Sequence, residues 1–393
     1  MKAIHLFIFS LIVVLLGSCF IPWSGEGNDT GTGNFSIFWG DSGINRAYVD
    51  QSELQNFEYK ITLTGPGETQ EKKLNGVRSA SFTVTPGDWT VTVKGYSNSG
   101  ETDPVLRLMG IEKVQIKPGR NTAKTINMYT ASESDNWDDL LNNKIGGSNY
   151  ISFDPINPRT EIIVLTNKPG DWEVYKAIEI SRPIILIAEE DITITRGNIG
   201  GSIFAIAGSV TPPKHGSLTL GMPGMTGTIT LDGSAETINT PSDDSLILIG
   251  SPLGPAHLIM NEGITLKNNT VGITLLSDIK NGGGIKITNG SFTMNGGEIS
   301  GNAATGNGGG VFLEGGTFIM NNGDITSNIS SGTGGGVMIS FGTFYMNGGN
   351  ITSNIAGSDN SGGGVYKIPG GTFMQNGGNI SDNTPDDINM PIL

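Results

Sequence analysis

Residues 282–302 read GGGIKITNGSFTMNGGEISGN, and the same sentence returns as GGGVFLEGGTFIMNNGDITSN (308–328), GGGVMISFGTFYMNGGNITSN (334–354) and GGGVYKIPGGTFMQNGGNISDN (362–383). The phenylalanines that mark the copies are Phe292, Phe318, Phe344 and Phe373, spaced by 26, 26 and 29 residues. Self-similarity at such a period is the mark of a stacked repeat, with one supersecondary unit per copy. Within the second copy Val311 and Leu313 share one face of a strand, Phe318 and Met320 share one face of the next, and Ile325 marks a third. Glycine turns between them close one coil. A single coil recovers far less from its few buried side chains than its ordering costs, so coils must stack. Stacking pairs each strand with the coils above and below and sets Phe on Phe and Ile on Ile.

The same alignment sorts the asparagines into two sets. Asn295, Asn321, Asn347 and Asn376 form one, and Asn302, Asn328, Asn354 and Asn383 the other. Amide ladders along the stack, satisfying each other and the turn backbone, are the expected use of both. Sixty glycines at fixed places in the pattern are turns of an ordered repeat. The triple glycines do not make a calcium-binding nonapeptide repeat, because the period differs and no aspartate stands at the ligand position. No cofactor and no metal site is expected.

Upstream of the repeats, SESDNWDDLLNNKIG places Trp137, Leu140, Leu141 and Ile145 at helical spacing, with Ser134 as the expected N-cap. Short β-rich runs follow it, among them YISFD, EIIVLTN, SIFAIAG, SLTLG and TITLDG, separated by Gly, Pro and Asp. A helix followed by such runs resembles the N-terminal cap and first coils of a right-handed parallel β-helix of the pectate-lyase-like kind. On that resemblance the helix covers an otherwise exposed strand edge. About nine or ten coils are expected between residue 148 and the end, a rod of about 45 Å at ~4.8 Å per coil.

The GG-aliphatic element (Gly283-Gly284-Ile285, Gly309-Gly310-Val311, Gly335-Gly336-Val337, Gly363-Gly364-Val365), followed by FTMN, FIMN, FYMN and FMQN, resembles the paired GGA[ILV] and FxxN repeats of chlamydial polymorphic outer membrane proteins. That likeness covers about a quarter of the chain and implies a β-helical surface adhesin. Two departures stand out: glycine replaces alanine at the third position, and no β-barrel segment follows the repeats up to Leu393. A lipid anchor is expected in place of the barrel.

The other end of the chain supplies one. Lys2 and the apolar stretch Ile4 to Leu16 have the make-up of a secretory leader too short to span a bilayer. Leu16, Gly17 and Ser18 then precede Cys19, the single cysteine, which resembles a bacterial lipobox and implies lipidation of Cys19. Phe20 follows where an aspartate would favour retention at the inner membrane under enterobacterial sorting. The expected division is a signal peptide at 1–18, a lipid-anchored tether at 19–33, a β-sandwich at 34–131 and the β-helix at 132–393, with clear repeats at 281–393. The fold class is all-β: a small antiparallel sandwich followed by a right-handed parallel β-helix with an N-terminal capping helix.

Between Phe35 and Tyr129, period-two segments alternate with turn signals. SFTVTPGDWTVTV puts Phe82 and Val84 before, and Trp89, Val91 and Val93 after, the TPGD turn. It resembles the Greek-key modules related to carboxypeptidase regulatory and transthyretin-like domains. Trp39, Trp89 and Tyr96 are expected in its core rather than on a sugar platform.

A net charge of -14 speaks against nucleic acid or anionic lipid as a charge-driven partner. Pectate-lyase-like elimination resembles a mechanism needing a calcium cluster and an arginine base, but Arg196 is the last arginine and the repeats hold none. Polygalacturonase-like hydrolysis needs paired carboxylates. Asp243, Asp244 and Asp232 with His257 are its candidates, without the histidine-glycine and Arg-Ile-Lys motifs of that family. The expected function is a non-enzymatic, exported surface lipoprotein with a structural or adhesive rod, anchored in the outer membrane or at the cell surface. Its partners would be the membrane and a host or matrix protein or glycan. A polysaccharide-active β-helix, with its cleft over residues 208–258, is the alternative. In the last copy Lys367 takes an inward aliphatic position unless a bulge puts Ile368 there, and Gln375 replaces methionine. Pro385, Asp386 and Asp387 are expected to guard the final edge.

Overall fold

The structure is a computed structural model. It describes residues 31–40, 54–97, 104–145, 160–166, 172–197, 201–210, 213–234, 244–250, 256–272, 280–357 and 361–391. The expected secretory leader, Cys19, the expected tether up to residue 30, the YISFD run and Asp243 lie outside these residues.

Three parallel sheets wind around one core and make a parallel β-helix. The phenylalanine sheet contains Glu161–Leu165, Pro183–Ala188, Ser217–Leu220, His257–Met260, Ser291–Met294, Thr317–Met320, Thr343–Met346 and Thr372–Gln375. The second sheet runs from Glu173–Val174 to Asn379–Ser381 and the third from Ile178–Ile180 to Ile388–Asn389, each with eight strands. The rod therefore has eight complete coils among the described residues, about 38 Å at ~4.8 Å each. Early coils are longer than the repeats because the chain leaves the rod between strands, as in the antiparallel Gly208–Val210 and Pro213–His215 pair.

Alternation places the apolar residues. In Thr317–Met320, Phe318 and Met320 are fully buried while Thr317 and Ile319 face outward, half-buried. Pairing is in register, Phe292 to Phe318 to Phe344 to Phe373. Ile299, Ile325, Ile351 and Ile380 line up likewise in the second sheet. One hydrophobic core extends from Trp137 to Val365, with Phe373, Ile380 and Ile388 packed on it at the last coil.

Trp137, Leu140, Leu141 and Ile145 close the other end, all buried as their spacing predicts. The segment is one turn of α-helix, Trp137–Asp139, continued as π-helix through Leu140–Ile145. Its N-cap is Asn136, whose side chain accepts from the Asp139 amide at 2.8 Å, not Ser134. The Ser134 hydroxyl instead donates to the Asn136 carbonyl.

The N-terminal module is a two-sheet sandwich. Phe82 and Val84 lie in Ser79–Val84, which pairs with Gly33–Gly40; Trp89, Val91 and Val93 lie in Gly87–Ser97, which pairs with Phe57–Thr64 and Val105–Ile116. The TPGD segment thus carries the chain from one sheet to the other and does not close a hairpin. The sandwich is antiparallel except that Gly33–Gly40 also has parallel partners in Gly119–Arg120 and Lys124–Asn127. Trp39 and Trp89 are buried in its core. Tyr96 is half-buried at the contact with the rod.

Sandwich and rod share a strand. Tyr129–Ser134 pairs antiparallel with Val105–Ile116 and parallel with Glu161–Leu165, so one sheet runs through both units and the 131/132 division falls inside this strand. The outer face of Val105–Ile116 packs Leu106, Met109 and Ile111 against Ile162, Val164, Ile185 and Ile187 of the first two coils. Lys94 reaches Glu189 at 2.6 Å and Lys113 reaches Glu262 at 3.7 Å across the same contact.

Candidate functional site

Among the described residues, Asp232 and His257 stand on different sheets. Asp232 ends Ile229–Asp232 of the second sheet and His257 begins His257–Met260 of the phenylalanine sheet, both on outward positions. The Asp232 carboxylate accepts from the Ser234 amide at 2.8 Å and from Asn268 Nδ2 at 3.3 Å, and Lys267 Nζ lies 3.5 Å away. It serves its own turn and its neighbouring coil. His257 Nδ1 is 2.8 Å from the Ser291 hydroxyl of the next coil. The Asp244 main-chain carbonyl accepts from Arg196 at 2.9 Å and from Asn269 at 3.2 Å. Among the described residues no group of His, Cys, Asp and Glu is arranged to hold a metal ion.

The most organised polar feature is buried. Asn302, Asn328 and Asn354 are wholly inaccessible. The residue before each ladder asparagine, Gly301, Ser327, Ser353 or Asp382, has a left-handed φ of 57 to 61°, which turns the next side chain under the glycine arch. Asn302 Nδ2 donates to Asn328 Oδ1 at 3.1 Å, Asn328 to Asn354 at 3.0 Å and Asn354 to Asn383 at 3.0 Å. The backbone N–H of each donates to the same oxygen. The second amide proton goes back to a carbonyl, such as Ile299 from Asn328 at 2.8 Å. Each amide thereby fills its hydrogen-bonding capacity away from water.

The glycine arch exists to make room for this ladder. The first glycine of each triple has a positive φ, 79° at Gly282 and 68° at Gly308. The third is held by packing: a Cβ on Gly310 would lie 2.7 Å from the Gly336 carbonyl oxygen and 3.0 Å from Asn328 Nδ2. Alanine at that position, as in the GGA[ILV] pattern, would meet the next coil's backbone.

Both four-member ladders stand where the period predicts and extend beyond the repeats. Asn261 accepts from Asn295, one coil earlier than the exposed set, and Asn269 donates through its backbone N–H to Asn302 Oδ1. Arg196, buried at 2 % exposure, donates to Asn269 Oδ1 at 3.2 Å. Asp387 Oδ1 accepts from both N–H groups of Asn383 at 3.0 Å. Asp386 accepts from the Gly362 amide at 2.8 Å. These aspartates therefore tie down the last arch with hydrogen bonds of their own. No bulge moves Ile368 inward: Lys367 pairs in register with Ile339 and its ammonium donates to the Ile368 carbonyl. Gln375 is exposed, in register with Met346.

Strands also follow the ladder asparagines. Thr270–Val271, Ala303–Ala304 and Ile329–Ser330 form a fourth parallel sheet, continued by bridges to Ile355 and Thr384. Asn281, Asn307 and Thr333 make a third side-chain ladder beside it. The recurring NAA, NIS and NIA after each ladder asparagine was its signal. Ile329 and Ile355 are 47 % and 44 % exposed on this corner, and Phe341 is 72 % exposed on the turn between the third and phenylalanine sheets.

No known protein family, curated protein or solved structure matches the chain.

Proposed function

We propose that the protein is an exported lipoprotein, attached to a membrane through Cys19, whose β-helix serves as a structural or adhesive rod. The observation that carries this reading is how the repeated residues are used. Phenylalanines, isoleucines, glycines and the buried asparagines are all engaged in holding one coil on the next. Asp232 and His257, two of the hydrolase candidates, face outward from different sheets and bond to neighbouring coils. The sandwich, bound to the rod by a shared strand and an apolar contact, would hold that rod at a fixed angle to its tether. Recognition of a host or matrix protein or a glycan would fall to outward residues, among them Ile329, Ile355 and Phe341.

Two measurements test this. Cys19→Ala is expected to shed the protein from the membrane fraction; unchanged partition into detergent would contradict the anchor. Incubation with a panel of glycans is expected to release no new reducing or unsaturated ends, whereas their release would establish the polysaccharide-active reading instead. A binding array of glycans and matrix proteins then identifies the partner.

A further inference from the structure

The buried ladder has a direction and two unlike ends. Asn302, Asn328, Asn354 and Asn383 each donate one amide proton toward the C-terminal end and accept from the N-terminal side, and Asn269 joins them through its backbone N–H, its own Nδ2 going to the Asp244 and Gly283 carbonyls. At the N-terminal end stands Arg196, whose guanidinium can only donate; at the C-terminal end stands Asp387, whose carboxylate can only accept. From Asn302 to Asn383 the aligned amide dipoles present their hydrogen end to the anion, and at the other end Asn269 meets the cation with its Oδ1 and passes the chain on through its backbone N–H. Each bond of such a chain polarises the next.

The exposed ladder provides the contrast. Asn376, Asn347, Asn321 and Asn295 donate in the opposite direction, toward Asn261, whose own amide ends on the neutral Gly221 carbonyl. Water can replace any of those bonds. Inside the rod it cannot, so opening one coil strips partners from the coils on both sides.

We propose that Arg196 and Asp387 are the end groups of one polarised hydrogen-bond chain, and that this chain makes the coils between them open as a single unit. A stack coupled only between neighbours would instead fray coil by coil from its free end. The inference concerns how the rod holds together and is independent of what it binds.

Hydrogen exchange by mass spectrometry on the full chain, over a urea series, tests it. In the wild type, peptides containing Asn302, Asn328 and Asn354 are expected to share one denaturant dependence. In Asp387→Ala all three are expected to exchange faster by the same factor, about tenfold for a lost bond to a charged group. Acceleration confined to residues 362–389, with the Asn302 peptide unchanged, would overturn the proposal. Asp387→Asn retains an acceptor oxygen and serves if the alanine variant does not fold; a smaller but still uniform acceleration is expected, and the same confined pattern would overturn it. Asn328→Asp places an acceptor-only group in mid-file and is expected to split the unit into two dependences; retention of one common dependence would remove the role of direction. Asn321→Ala, in the exposed ladder, is expected to leave the common dependence intact.

Discussion

The rings of Phe318 and Phe344 lie 4.4 Å apart, centroid to centroid, and 4° from parallel. In-register parallel pairing of their strands imposes this, because identical side chains one coil apart must repeat at close to the strand spacing. Phe292 continues the column at 4.7 Å and 8°. Phe373 tilts to 28° at the last coil, where it is only partly buried.

Phe318→Ala removes a ring with neighbours on both faces. The expected cost is about 3–5 kcal/mol, the range for a buried phenylalanine whose cavity cannot collapse. Phe318→Leu should cost less. Urea denaturation followed by far-ultraviolet circular dichroism measures both.

Gly310→Ala should destabilise strongly, because its methyl would lie 2.7 Å from a backbone oxygen of the next coil. The control is Gly40→Ala, where only Arg78 Nη1 lies near, at 3.7 Å. That change is expected to stay within about 0.5 kcal/mol. Equal thermal midpoints for the two variants would refute the close approach.

Asn328→Ala leaves two buried donors of Asn302, its backbone N–H and one amide proton, without the oxygen they share, while Asn354 Oδ1 keeps the backbone N–H of residue 328, at an expected cost of about 2–4 kcal/mol. Asn321→Ala in the exposed ladder should cost under about 1 kcal/mol, since water replaces its partners. Chemical denaturation of the pair separates buried from exposed ladders.

Tyr96 sits where the sandwich meets the rod, and its phenol is pushed up to about 12, by burial first and then by Glu133, Glu189 and Glu58. A folded value above the unfolded one near 10 means the folded state holds its proton longer. The associated stability is present below pH ~10 and is lost as pH rises from about 10 to about 12. Tyr96→Phe should make that alkaline fall shallower. Phenolate absorbance and denaturation against pH check it together.

Side chains that recur at a constant period were legible, which is why the phenylalanine column, the isoleucine columns and both four-member ladders stand where spacing put them. Asn261 and Asn269 serve the same ladders but escaped, because the coil between them and the repeats is 33 or 34 residues long instead of 26. Arg196 and Asp387 were invisible for a different reason: an end group differs chemically from the series it ends. The strand Tyr129–Ser134 carries Ser132, Glu133 and Ser134 and looks like a linker. It is a strand because it pairs on both sides, with Val105–Ile116 and with Glu161–Leu165, inside the one sheet that runs through both units. Of the candidate site, the residue types in the middle coils were readable, but whether Asp232 and His257 share a face depends on coil lengths that vary.

A cysteine pair tests most directly whether the coils form a single stack in register. Ile319 and Tyr345 are outward neighbours on adjacent strands of the phenylalanine sheet. Their Cα separation, about 4.8 Å for paired strands, is within disulfide range. In a Cys19→Ala background, Ile319→Cys with Tyr345→Cys is expected to oxidise to an intramolecular disulfide, and Ile319→Cys with Asn350→Cys, on another sheet, is not. Failure of the first pair to oxidise, or equal oxidation of both, would contradict the account.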